Sequence, residues 1–291
     1  MAHQLPSIDE LRGVFANTLS PDATVRRAAE KQLEQAKTLP GHPRQVLEIV
    51  ANSDPNYALV RQAASVHFKN VVKNGWDAED ETIINIPQSD RDLIKKHLVE
   101  LMCTVPAQIQ AQCSEAISII ASYDFPSKWD NLLPDLIAKF SSPDPTIVSG
   151  VLLTASSIIK RFRYVQKSDD LYRDIIYVLQ RLQEPLLRLF QSMGKEIDQL
   201  KNDPAGLTPR FESLRLMCRI FFSLNWQELP EYFEDHMSEW MAEFSKYLQY
   251  TNPVLTDDDE EMEASPIDKL QCAIIENLNL YANKDEEPFM P

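Results

Sequence analysis

Residues 7–76 read SIDELRGVFANTLSPDATVRRAAEKQLEQAKTLPGHPRQVLEIVANSDPNYALVRQAASVHFKNVVKNGW. The apolar period in this stretch is that of a helix. Ile8, Leu11, Val14, Phe15 and Leu19 share one face, and Ser7 with Glu10 forms a capping box ahead of them. Ser20 and Pro21 offer an N-cap and a first-turn proline to a second helix, 20–37, with Val25, Ala28, Ala29, Leu33 and Ala36 inward. Leu39-Pro40-Gly41-His42-Pro43 stops it. A third helix carries Val46, Leu47 and Val50, and the turn Ser53-Asp54-Pro55-Asn56 leads into a fourth, about 57–74. No helix of this kind can cover its apolar stripe alone, so the four must stack.

The alternation continues outward from this stretch. Helices are expected near 89–103, 107–122, 128–140, 146–164, 170–193, 209–225, 228–249 and 266–282, with Pro185 kinking or restarting the 170–193 helix. Taken in pairs, the first helices start near 7, 43, 89, 128, 170 and 228. The spacings run from 36 to 58 residues, and the widest holds a polar insertion at about 194–208. A two-helix repeat of ~40 residues is the signature of HEAT and armadillo arrays, in which neighbouring pairs share a continuous core. The expected fold is therefore all-α: a right-handed superhelical solenoid of about six HEAT-type helix pairs, with the second helix of each pair on the concave side. An ordinary helical bundle is the alternative.

Composition points the same way. With 6 glycines in 291 residues, the chain is short of the residues that hairpins, bulges and phosphate-cradling loops need. The net charge of −15 disfavours broad contact with nucleic acid or an anionic membrane. Residues 226–291 hold 17 acids and 3 bases, so the acidity belongs to one end. Cys103, Cys113, Cys218 and Cys272 form no CxxC pair and read as reduced thiols, with no metal site. Asp9, Glu10 and Arg12 interrupt any secretory apolar core, and no run of ~18 apolar residues suggests membrane insertion. G-x-x-x-x-G-K, G-x-G-x-x-G, H-E-x-x-H and G-x-S-x-G are missing, so neither an enzyme nor a cofactor is expected.

Several segments carry a resemblance. Arg27-Ala28-Ala29-Glu30-Lys31-Gln32-Leu33, followed by Val60-Arg61-Gln62-Ala63-Ala64 and Lys69-Asn70-Val71-Val72-Lys73-Asn74-Gly75-Trp76, resembles the N-terminal domain of the karyopherin-β, or importin-β, family. Asp124-Phe125-Pro126-Ser127-Lys128-Trp129 looks like that family's third-to-fourth repeat junction. Lys160-Arg161-Phe162-Arg163-Tyr164 and Phe222-Ser223-Leu224-Asn225-Trp226-Gln227-Glu228-Leu229-Pro230 narrow the likeness to an export branch. Family members are several times longer, and the chain stops at Phe289-Met290-Pro291 as a seventh pair would begin, so it reads as the N-terminal part of a receptor.

The resemblance implies a nuclear export receptor that shuttles between nucleus and cytoplasm through the pores of the nuclear envelope. Its partners would be Ran-GTP, importin-α as cargo, and phenylalanine-glycine nucleoporins docking between outer helices. Release would follow GTP hydrolysis by Ran. Residues 1–76 would be the importin-β N-terminal-type domain, with pairs 1 and 2 and Ran binding, and 77–291 the remaining arch. Other readings are a static scaffold of a cytoplasmic complex, or a receptor of the family with different cargo.

The candidate site follows from projecting each second helix. On 57–74, Gln62, Ser65, Lys69 and Lys73 form a polar stripe opposite the apolar face, with Asn70 turned inward. On 20–37, Arg27, Lys31 and Glu34 face outward; on 107–122, Glu115, Ser118 and Ser122 do. The resemblance makes this the Ran surface; a plain solvated face is the other account. Lys160, Arg161 and Arg163 could meet a partner or simply favour a helix C-terminus. The run Asp257, Asp258, Asp259, Glu260 and Glu261 is an acidic loop, mobile or drawn to a basic surface. Trp129, Trp226 and Trp240 are expected in the core, and His67 has no partner at metal-ligand spacing.

Overall fold

The computed structural model describes residues 5–77, 85–200, 202–255 and 264–284. Among them every regular element is a helix, and the helices fall into two compact units, residues 1–132 and 133–291. The first unit holds α1 (Ile8–Thr18), α2 (Ala23–Ala36), α3 (His42–Ala51), α4 (Ala58–Gly75), α5 (Gln88–Thr104) and α6 (Ala107–Asp124). The second holds α7 (Leu132–Ile137, beginning at the boundary), α8 (Pro145–Lys160), α9 (Asp169–Gln199), α10 (Pro204–Leu224), α11 (Glu231–Asp235), α12 (Met237–Leu248) and α13 (Pro266–Lys284). Short 3-10 turns at Pro55–Tyr57 and Arg161–Arg163 precede α4 and follow α8.

The packing is that of HEAT-type pairs. In the first unit α1 packs on α2, α3 on α4 and α5 on α6, and the second helices α4 and α6 lie against each other. In the second unit the second helices α8, α10 and α13 stack in that order. Several polar side chains that enter these seams donate to backbone or side-chain oxygens across them. Arg61, buried on α4, donates from Nε to the Val50 carbonyl at 3.0 Å. Asn277 donates to the Cys218 and Ala273 carbonyls, and the Tyr281 hydroxyl donates to Asn225 Oδ1 at 3.2 Å, tying α13 to α10. The pair of half-buried Lys95 with buried Asp124, 3.0 Å, crosses α5 to α6, and Lys95 also donates to the Lys128 carbonyl.

Most helix limits follow the sequence reading, and the exceptions have physical causes. The Ser7–Glu10 capping box forms in both directions. The second helix opens at Ala23, because Asp22 and not Ser20 accepts the first-turn bond, from Thr24 N. Val25 and Ala28 are exposed there; only Ala29, Leu33 and Ala36 are buried. The expected 128–140 helix shrinks to α7, which starts late enough to hold Pro134 in its first turn, where no N–H is needed.

The 170–193 helix runs on through Pro185 to Gln199. Leu182, Leu186, Phe190, Met193 and Ile197 continue one buried stripe across the proline, so packing outweighs the lost backbone bond. The polar insertion at 194–208 is consequently mostly helix. Asp203 caps α10 by accepting from Gly206 N, and Pro204 takes the first position. The expected 228–249 helix breaks at His236 into α11 and α12. Trp129 and Trp240 are buried as expected, but Trp226 is 40% exposed, lying just past the end of α10 against Phe222. No helix among the described residues is long and apolar enough to cross a membrane.

Candidate functional site

All eight residues of the expected Ran surface lie in the first unit, on α2, α4 and α6. Arg27 and Lys31 are exposed on α2. Glu34 is exposed beside them and pairs with Lys37. On α6, Glu115 and Ser122 are exposed and Ser118 is half-buried, its hydroxyl spent on the Ser114 carbonyl at 3.0 Å.

The α4 stripe is rotated from its projected position. Lys73 is exposed, and Gln62 and Lys69 are half-buried. Ser65 is buried, donating to the Gln62 carbonyl at 2.8 Å, so it is unavailable to a partner. Asn70, expected inward, is exposed. The outward face is instead led by Leu59, Val66, Asn70, Lys73 and Asn74, with Leu59 68% exposed. The cause is that α1, α3 and α6 all pack on α4. Its buried arc is wide enough to admit Ser65 and Arg61, and the four polar residues alone do not mark its centre. The buried Arg61 was the missed signal: once it is placed in the seam, the open face shifts toward Val66 and Asn70. Neither Lys69 nor Lys73 makes an ion pair among the described residues.

On α4, His67 is half-buried against α1 and α3. Its Nε2 lies 2.9 Å from Nε2 of His42 on α3, and the Phe15 ring of α1 meets its edge. Burial holds both imidazoles neutral, His42 down to about 3 and His67 to about 4. His42 has the neighbouring His67 as a second cause. For His67, Glu34 opposes burial and Lys37 adds to it. One ring must donate to the bare nitrogen of the other, so the pair joins α3 and α4 as a hydrogen bond. Among the described residues no cluster of three or more potential ligands could hold a metal ion.

In the second unit the basic knot is pinned by its neighbours. Arg161 pairs with Asp174 of α9 at 3.4 Å, and Arg163 donates from Nε to the Ser223 hydroxyl of α10 at 3.0 Å. Both therefore hold helices together, and a helix-terminus role alone does not describe them. Lys160 remains exposed in the last turn of α8. The acidic run 257–261 lies outside the described residues. Cys103, Cys113 and Cys218 are buried free thiols, and Cys272 is an exposed one.

Comparison with known proteins gives this architecture a family. Residues 29–104 match the importin-beta N-terminal domain and residues 158–291 match the Cse1 family. Together the two matches take in well over half of the chain. Exportin-2 of Oreochromis niloticus is 40% identical over 285 residues, 98% of this chain and 29% of that protein. Exportin-2 of Homo sapiens is 40% identical over 283 residues, again 29% of its length. The chain thus spans less than a third of the relatives it matches. Among solved structures, the exportin Cse1 in its cargo-free, cytoplasmic state superposes with a TM-score of 0.88 at 34% identity, over 97% of this chain and 30% of that one. Importin beta superposes at 0.59 and 18% identity, a likeness of fold alone, over 96% of this chain and 29% of that one. The chain belongs to the karyopherin-β, or importin-β, family, on its exportin-2 branch.

Proposed function

We propose that this chain acts within a nuclear export receptor that binds Ran-GTP and importin-α in the nucleus, carries importin-α to the cytoplasm, and releases it when Ran hydrolyses GTP. The observation that carries this reading is the match to exportin-2 and Cse1 along nearly the whole chain. The receptor performs no chemistry itself. Direction comes from the difference in affinity for two states of Ran, and a useful switch needs several kcal/mol of difference, about 5.5 to move from 1:99 to 99:1. The outward faces of α2, α4 and α6 supply part of it.

Residues 1–76 serve as the Ran-binding domain, and 77–291 carry the further helix pairs of the receptor. Arg27, Lys31, Lys69 and Lys73 meet acidic or carbonyl groups of the GTPase, Glu115 and Gln62 its polar groups, and Val66 and Asn70 join them. Phenylalanine-glycine nucleoporins dock on outer helices. The apolar groove between α9 and the 224–235 segment, floored by Ile175, Leu179 and Leu229, suits them.

The test is a pull-down of this chain with Ran locked in the GTP form or loaded with GDP, alone and with importin-α. A preference for the GTP form is expected, and Lys69→Glu with Lys73→Glu should weaken it at least ~10-fold, about 1.4 kcal/mol. Equal binding to both forms would instead fit a static scaffold.

A further inference from the structure

The C-terminal ends of α8 and α10 lie side by side. The Gln227 side chain donates to the Phe162 carbonyl at 2.7 Å, and Arg163 donates to Ser223. This junction gathers large apolar side chains that the fold leaves uncovered: Tyr164 is 74% exposed, Val165 45% and Trp226 40%. Trp226 is linked to Arg163 through the Phe222 ring, and Tyr164 and Val165 follow Arg163 directly along the chain. The Arg163 guanidinium sits 4.9 Å over the Phe222 ring, and that ring lies 5.4 Å from Trp226. Soluble surfaces rarely group apolar residues in this way without a partner.

The charge around the group runs against the rest of the molecule. The chain carries −15 overall, yet the rim here is cationic. Lys160, one turn before Arg163, and Arg219 of α10 are exposed and make no ion pair among the described residues. Burial disfavours the Arg163 charge first and Arg219 adds to this, while Tyr164 and Glu276 of α13 oppose it. The Ser223 bond and the Phe222 ring fix the Arg163 plane through Nε, and its two Nη groups make no hydrogen bond among the described residues. A guanidinium held in this way loses little freedom on meeting a carboxylate. Trp, Tyr and Arg are also the side chains that dominate interface energetics.

We propose that the Tyr164–Phe222–Trp226 patch, with Arg163, Arg219 and Lys160 at its rim, is a docking site for an acidic protein segment carrying an apolar anchor residue. The anchor packs on Trp226 and Tyr164 while flanking carboxylates reach Arg163, Arg219 and Lys160. The site is separate from the first-unit surface assigned to Ran.

The experiment is a peptide-display selection of 12-mers on the full 291-residue chain, with counter-selection against the Lys160→Glu, Arg219→Glu chain, whose changes are at exposed positions. Enriched peptides are expected to carry several Asp or Glu residues around one aromatic or Leu. Their affinity should fall at least ~10-fold on the variant and drop further with added salt. Trp226 gives an independent readout, because Trp76, Trp129 and Trp240 are buried and the solvent-quenchable emission belongs to Trp226. A selected peptide should protect that emission from quenching, and Trp226→Ser should weaken its binding. Enriched peptides that are neutral or basic, that bind the charge-reversed chain equally well, or that leave Trp226 quenchable would overturn the proposal. So would a selection that enriches nothing on the wild-type chain over the variant.

Discussion

The His42–His67 contact makes unit 1 sensitive to acid through two side chains. Both rings are neutral in the fold, with values near 3 and 4 against 6.5 when free. The groups facing them are Glu34 and Lys37 of α2 and the Phe15 edge of α1. A base whose folded value is depressed binds protons more readily in the unfolded chain. Its contribution to stability is therefore full above pH 6.5 and falls as pH drops from 6.5 toward 4. At pH 5 the loss is up to about 2 kcal/mol for each histidine. Thermal melts of the chain at pH 7.5 and 5.0 should show a lower Tm at pH 5, and His42→Gln with His67→Gln should shrink that difference. An unchanged pH dependence in the double variant would show that other groups carry it. None of this was legible in sequence. His67 has no ligand partner nearby along the chain, and only the α3–α4 packing reveals the contact 25 residues away.

At the scale of the element, α9 shows both what a pattern can reveal and what it cannot. The stripe from Leu171 to Met193 was readable by period alone. The segment after it was not, because Gly194, Lys195, Glu196 and Asp198 look like a loop and Ile197 is the single apolar signal between Gly194 and Gln199. The glycine is there for a contact. A Cβ at Gly194 would lie 2.9 Å from the Tyr247 hydroxyl and 3.3 Å from Lys246 Nζ. Lysine could move, but Tyr247 is held by Phe190 and Phe211 at 5.8 and 6.2 Å between ring centres. Gly194→Ala gains up to about 1 kcal/mol of helix propensity and loses about 1–3 kcal/mol to overpacking. The net is expected to be destabilising, measurable as a lower urea midpoint, and Gly194→Ala with Tyr247→Phe should recover part of the loss by removing the hydroxyl. The α4 stripe failed for a related reason. Amphipathic projection assumes one buried side, and α4 is packed by α1, α3 and α6 at once. Helix existence, pairing and repeat length were therefore legible, whereas the face presented to a partner depended on how many neighbours each helix has.

Across the whole molecule, each unit packs neighbour on neighbour: α3 on α4 and α4 on α6 in the first, α8 on α10 and α10 on α13 in the second. Stability in such an array is close to a sum of local terms and nearest-neighbour interfaces, so a defect should spread by distance along the stack. Ile274, fully buried on α13 next to α10, is a suitable place to make one. Ile274→Ala removes buried methyl groups and costs about 2–5 kcal/mol. Native-state hydrogen exchange should then show α13 losing the most protection and α10, which packs on it directly, losing less. α8, which packs on α10, should stay nearly unchanged. The Asn277 and Tyr281 bonds to α10 make that first step of transmission specific. Adding Asn277→Ala should abolish the graded response in α10 by uncoupling the two helices. If Ile274→Ala lowered protection equally in α8, α10 and α13, the second unit would be one cooperative core. Its helices could not then respond one at a time to a partner laid along the stack.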